Sequence, residues 1–374
     1  MKFLFTRILL YVGLVAGVGA AQAEWRLESH FSALLAKEKA FYIYLPDSTN
    51  SGKTYPVLYL LHGVGGDYGD WLEASHVREQ AQQHEMIIVL PDGGGFGWYL
   101  DSPVDSTSLY ASYLVAELIP LIESRFPVAS GPAARAISGL SMGGHGAVAL
   151  ALQHPDLFGA ASSLSGILDL TLHGGMGDAW QLNSILGAYQ QFPEHWRLNS
   201  CCDLVLASAA RPALFIDCGL DDAFALVDNR KFNRLLDSLN IPHRYEENPG
   251  AHNWTYWDER LGAHLQFFAA FFSTARIART RTAESFRLPA CYPNPFNQAV
   301  TLVWSTETAA RVSIEIYDSA GRLVRRLLNE ADCRGQGQVV WDGAAAHGPA
   351  ASGVYYIRWL TDHQARIMPV TLIR

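Results

Sequence analysis

The sequence predicts an α/β fold with a mainly parallel sheet, followed by a small all-β sandwich. Three observations predict it. Between residues 24 and 278, short apolar runs end at glycine-containing turns and alternate with helical patterns. After residue 286 the pattern changes to the two-residue alternation of half-buried strands. The composition shifts at the same place: residues 279–374 contain no lysine, only arginine, among their fixed cations.

The first element is an export signal over residues 1–23. Lys2 and Arg7 precede an apolar run from Ile8 to Ala20, and Ala21-Gln22-Ala23 supplies small residues where a signal peptidase cuts. The run is shorter than the roughly 20 residues that span a bilayer, which argues against a membrane anchor. The expected location is therefore secreted or cell surface, where disulfides are permitted. Five cysteines are too few for a cysteine-built scaffold. Cys291 and Cys333 are a candidate pair, whereas the adjacent Cys201 and Cys202 are awkward to join.

The strands of the middle segment come next. Val57–Leu61 ends at His62-Gly63, and Met86–Leu90 ends at Pro91-Asp92-Gly93. Ala134–Leu140 leads into Ser141, and Ala213–Ile216 leads into Asp217-Cys218-Gly219. Each reads as a buried strand of a parallel sheet. The expected helices are Tyr110–Ser124, Met142–His154, Val227–Leu239 and Trp254–Phe272. In such sheets reactive groups gather at the carboxyl ends of the strands.

Gly139-Leu140-Ser141-Met142-Gly143 fits G-x-S-x-G, with a strand before it and a small-residue helix after it. The turn is tight enough to need glycine on both sides and leaves the serine hydroxyl exposed. Ser141 is the candidate nucleophile. A serine needs a base, and the base needs an acid to fix its tautomer. Nucleophile turns of this kind take them in the chain order Ser, acid, His. Asp221-Asp222 follows the strand at 213–216, and His252 follows the strand-like His243–Glu247. His252 is the candidate base, with Asp221 or Asp222 as the acid. His145, on the helix behind the serine, reads as a packed residue, and His62 as a structural one. The oxyanion donors are assigned to the backbone amides of Met142 and Val64, with Gly63 as the alternative for the second. No H-E-x-x-H and no paired C-x-x-C is present, so no metal and no cofactor is expected.

These stretches together resemble the esterase D-like family of α/β-hydrolases. The words are Y-P-V-L-Y-L-L-H-G-V-G-G at 55–66, P-D-G-G-G-F-G-W-Y-L-D-S-P at 91–103 and G-L-S-M-G-G-H-G-A at 139–147. C-G-L-D-D at 218–222 and P-G-A-H-N-W-T-Y-W at 249–257 complete the set. The resemblance implies an α/β-hydrolase domain that hydrolyses carboxylic esters through an acyl-enzyme. It makes Ser141 the nucleophile, His252 the base and Asp222 the acid, and it places Val64 and Met142 at the oxyanion.

Trp71, Trp98, Tyr99, Trp254 and Trp257 lie beside the reactive turns in sequence. Trp71, Trp98 and Trp254 are the substrate-binding candidates, with core packing as the competing role. The long, irregular stretch Leu170–Leu206 is expected to cover the site. Export favours an extracellular ester, for example acetyl or feruloyl groups on polysaccharide. An acyltransferase that uses a sugar hydroxyl as acceptor, and a non-catalytic surface binding protein on the same fold, are the two rival functions.

The domain plan follows: signal peptide 1–23, hydrolase domain 24–278, linker 279–285 and β-module 286–374. In the module Thr301–Trp304, Val312–Tyr317, Gln338–Trp341 and Val354–Trp359 are the expected strands. Y-P-N-P-F-N at 292–297, I-Y-D-S-A-G-R-L-V at 316–324, W-D-G at 341–343 and A-S-G-V-Y-Y at 351–356 resemble type IX secretion sorting domains and FlgD-like Ig modules. That resemblance implies the secretion machinery as a partner. Sugar binding would instead need an exposed row of Trp304, Tyr355, Tyr356 and Trp359. The net charge of −8 has three parts: +2 in the leader, −13 in the hydrolase segment and +3 in the module. An acidic enzyme disfavours nucleic acid and other anionic polymers as partners.

Overall fold

The computed structural model describes residues 23–46, 53–175, 178, 180–208, 212–346, 348–360 and 365–374; the side chains of 276–291, 305–310 and 365–366 are outside this set. Of the expected leader only its last residue, Ala23, falls within the described residues, and the Cys291 side chain of the expected pair lies outside them. The chain forms two compact units, divided between Phe272 and Ser273.

The first unit is built on an eight-stranded sheet. Its strands are β1 (Glu24–Ser32), β2 (Lys37–Leu45), β3 (Val57–Leu61), β4 (Ile87–Pro91), β5 (Arg135–Leu140), β6 (Ala160–Leu164), β7 (Ala213–Gly219) and β8 (His243–Asn248). The order across the sheet is β1-β2-β4-β3-β5-β6-β7-β8. β1 and β2 form an antiparallel hairpin, and β2 joins β4 antiparallel. From β4 onward every pairing is parallel. The pleat sorts side chains between two cores: Val57, Tyr59 and Leu61 of β3 enter one, and Leu58 and Leu60 enter the other. With both faces covered, a continuous apolar run is the stable sequence for such a strand.

Three strands departed from the expected set. β1 and β2 precede the first expected strand, and β1 is largely exposed, so it lacks an apolar run. β6 reads Ala-Ala-Ser-Ser-Leu and is fully buried. Its serines are tolerated because partners satisfy them: Ser162 Oγ lies 2.7 Å from Ser138 Oγ and 2.8 Å from His264 Nδ1.

Of the expected helices, Met142–Gln153 and Leu226–Ser238 form within a residue of their expected bounds. The Tyr110–Ser124 stretch is one helical run with a π-helical middle at Tyr113–Leu118. The helix that starts at Trp254 continues to Ser285, through the segment expected as a linker. The stretch expected to be irregular, Leu170–Leu206, carries a helical turn at Leu170–His173 and the helices Leu182–Leu186, Pro193–Asn199 and Cys201–Ala207. Cys201 and Cys202 are buried free thiols.

The second unit is antiparallel β. Its strands are β9 (Phe286–Tyr292), β10 (Val300–Tyr317), β11 (Leu323–Trp341), β12 (Ala344–Ala345), β13 (Gly348–Pro349), β14 (Gly353–Leu360) and β15 (Ala365–Leu372). β10 pairs with β11 along one edge. On its other edge it pairs first with β9 and then with β14. Trp304, Tyr355 and Trp359 are buried in this unit's core with Trp341, while Tyr356 alone of the four candidate rings is exposed. An aromatic row for stacking on sugar is therefore absent from these four positions.

Candidate active site

The turn that carries the candidate nucleophile follows from two glycines. A side chain at Gly139 would stand 2.5 Å from the carbonyl carbon of Gly143, and one at Gly143 would stand 2.6 Å from the carbonyl oxygens of Leu61 and His62. β5 can pass into the helix Met142–Gln153 only because both positions lack Cβ. Ser141, between them, has φ 51° and ψ −117°. That is a left-handed φ which a serine adopts at a cost, typically about 1–3 kcal/mol, and the surrounding structure holds it there. Its amide donates to the Leu164 carbonyl at 2.9 Å. Ser141 is 9% exposed and lines a cavity.

Two later turns bring the partners. His252 Nε2 lies 2.9 Å from Ser141 Oγ, and His252 Nδ1 lies 2.8 Å from Asp222 Oδ2. Asp222 is buried, and its Oδ1 accepts from the amides of Phe224 at 3.0 Å and Ala225 at 2.9 Å. Burial by itself would push this carboxyl up. The hydrogen bond and charge of His252, with the Ala225 amide, outweigh it and hold the group below its ordinary value. An ionised Asp222 accepts the Nδ1 proton, which leaves Nε2 as the acceptor facing the serine hydroxyl. Asp221 is exposed, and its amide donates to the Gly250 carbonyl at 2.9 Å. It ties the acid turn to the histidine turn through backbone, not through its carboxylate.

Val64 lines the same cavity as Ser141, and Met142 is the first residue of the helix after it. Neither backbone N–H has a hydrogen-bond partner among the described residues. Gly63 also lines the cavity. Unpartnered amides beside a nucleophile are donors in waiting for an oxyanion.

The turn that carries Val64 is held by the loop after β4. Gly65 N donates to Gly95 O at 2.6 Å, and Tyr99 Oη accepts from His62 N at 3.0 Å. Gly93 N donates to His62 Nε2 at 2.9 Å, so Nδ1 carries the proton and donates to Gly63 O at 2.8 Å. Burial lowers the pKa of His62 and favours this neutral form. His62→Ala should lower kcat by roughly 10-fold with little change in KM, because the turn loses two of its ties. Steady-state kinetics on any accepted ester measures this. His145 is also buried and neutral, its imidazole pushed down to about 4 by burial, and its Nε2 donates to the Asn199 carbonyl at 2.8 Å.

The cavity has a volume of about 210 Å³. Trp254 and Trp257 line it, and Trp98 borders it from a fully buried position. Trp71 does not: it is 1% exposed, donates Nε1 to Leu61 O at 3.1 Å and packs edge-on against Trp254. It supports a wall ring from behind, contrary to the expected direct contact. Tyr99 is likewise buried against His62. Trp180 and Phe224 line the cavity and were not among the expected residues. Trp180 comes from the segment expected to cover the site, and Trp98 Nε1 donates to its carbonyl at 3.0 Å. Among the described residues no group of three or more His, Cys, Asp or Glu side chains is placed to hold a metal ion.

The family model described as "Putative esterase" matches residues 32–268. The chain belongs to this esterase family. The FlgD Ig-like domain model matches residues 294–361, within the antiparallel second unit. An esterase of Mycobacterium tuberculosis is 33% identical over 239 residues, covering 56% of this chain and 51% of the relative. The chain thus spans about half the length of that esterase. An acetyl esterase of Caldicellulosiruptor saccharolyticus is 28% identical over 228 residues, covering 57% of this chain and 82% of the relative. Among solved structures, a ferulic acid esterase is similar with a TM-score of 0.58 and 30% identity, over 67% of this chain and 99% of that one. The esterase unit and the Ig-like unit are thus each matched separately.

Proposed function

We propose that this chain is an exported serine carboxylesterase that hydrolyses acyl esters such as acetyl or feruloyl groups on polysaccharide. One observation carries the chemistry: the continuous chain Ser141–His252–Asp222 beside two unpartnered amides. Ser141 Oγ attacks the ester carbonyl while His252 Nε2 takes its proton. Asp222 stabilises the imidazolium that forms. The amides of Val64 and Met142 receive the oxyanion, and His252 returns the proton to the leaving alcohol. Water then repeats the cycle on the acyl-enzyme. Losing one oxyanion donor typically costs roughly 100- to 1,000-fold in kcat.

The substrate class is supported by the aromatic cavity and by the names of the similar acetyl and ferulic acid esterases. Export is supported by the leader sequence of residues 1–23. Delivery by secretion machinery through the second unit is supported by the motifs of residues 292–356. The test is a panel of acetylated xylan, methyl ferulate and short-chain p-nitrophenyl esters. A fluorophosphonate probe is expected to add its mass to the peptide that contains Ser141. Turnover of none of these esters, or probe mass on a different residue, would sink the proposal.

A further inference from the structure

The cavity holds one carboxylate that the ester chemistry does not use. Asp70 begins the short helix Asp70–Ala74 and lines the same cavity as Ser141 and His252. Its Oδ2 lies over Gly66, where an added Cβ would stand 1.8 Å away. The glycine leaves the room that the carboxylate occupies. Asp70 is half-buried and forms no ion pair among the described residues. Its titratable neighbours are Asp67 and Glu73, both acidic, and His62, which is neutral. Burial holds its carboxyl above the ordinary value.

The rest of the wall is largely aromatic. Ring centroids run Trp98 to Trp180 at 6.2 Å, Trp180 to Phe224 at 5.8 Å and Phe224 to His252 at 5.4 Å. They continue from His252 to Trp257 at 5.0 Å and from Trp257 to Trp254 at 5.4 Å. These rings offer apolar faces to a ligand beside the polar groups of Ser141 and His252. A carboxylate among these rings, with no cation among the described residues to balance it, is a selective feature: a ligand that brings a donor satisfies it, and one that does not leaves it desolvated.

We infer that Asp70 is a specificity-determining residue that accepts a hydrogen bond from a hydroxyl group of the substrate. This rests on the ester-hydrolase proposal above. The hydroxyl can belong to the acyl group or to the alcohol, and two pairs of esters separate these sources. Methyl 4-hydroxycinnamate against methyl cinnamate tests the acyl side. 2-Hydroxyethyl acetate against propyl acetate tests the alcohol side.

In one pair the hydroxylated ester should show a kcat/KM roughly 10- to 100-fold higher, the usual size for a hydrogen bond to a charged group. Asp70→Ala should bring that ratio to about one. Asp70→Asn, which keeps the shape and an accepting oxygen, should retain part of it and serves if the alanine variant does not fold. A wild-type ratio near one in both pairs, or a ratio that survives Asp70→Ala, overturns the inference. A stronger preference for the acetate ester of choline, lost in Asp70→Ala, would assign the carboxylate to a cation and overturn it too. Turnover that persists in Ser141→Ala would instead sink the ester-hydrolase proposal, so the two failures are distinct.

Discussion

Ser141→Ala should reduce ester turnover by roughly four to six orders of magnitude, with the fold intact. The size follows from what the hydroxyl does. Without Oγ there is no covalent acyl-enzyme, and His252 has no proton to take. What remains is the cavity and the two amides, which by themselves typically give only about 1,000- to 10,000-fold over water. The substitution should not unfold the chain. Ser141 sits at a left-handed φ, and alanine tolerates that backbone no worse than serine does. Thermal unfolding close to wild type together with lost turnover on the best ester is the expected pair of results. Retained turnover would mean that another residue attacks the ester.

Asp222→Asn should cost roughly 10,000-fold in kcat, whereas Asp221→Asn should change kcat by less than a few-fold. The two aspartates are adjacent, yet only Asp222 reaches His252. An asparagine at 222 can present its NH2 group to the imidazole and favour the tautomer with Nδ1 unprotonated. Nε2 then carries a hydrogen and cannot accept from Ser141. Asp221 contributes its amide to the Gly250 carbonyl, and that bond survives the substitution. Steady-state kinetics of both variants on one ester decides between them. Equal losses would reject Asp222 as the acid.

Asp222 also has a pH signature. Its folded carboxyl is held below the ordinary value, so the ionised form is the one the fold favours. Its stabilising contribution is fully present above the unfolded carboxyl pKa of about 3.9, and it is lost as pH falls through the lower folded value. Asp222→Asn should therefore flatten the acid side of the stability curve. Chemical unfolding measured from roughly pH 5 down to about pH 2 reads this directly.

Much of the site was legible in the sequence because it is local. Gly139 and Gly143 stand two residues either side of Ser141 and permit the tight strand-to-helix turn that presents it, and a G-x-S-x-G spacing is visible in the sequence alone. The parallel strands β3, β4, β5 and β7 announce themselves as apolar runs, since both of their faces are covered. β6 did not, because its burial depends on small serine side chains satisfied by Ser138 and His264, which no local pattern reveals.

The sequence by itself determined the nucleophile turn, the order of its partners and the change to an all-β unit near residue 286. Each depends on short-range backbone geometry or on periodicity. Tertiary structure decided which of two adjacent aspartates meets His252, because neighbouring residues in a turn point in different directions. It also decided which aromatic rings reach the cavity. Trp71 was drawn into the core behind Trp254, while Trp180 and Phe224 arrived from segments distant in sequence. An indole packs equally well in a core or on a cavity wall, so only the three-dimensional neighbours distinguish the two.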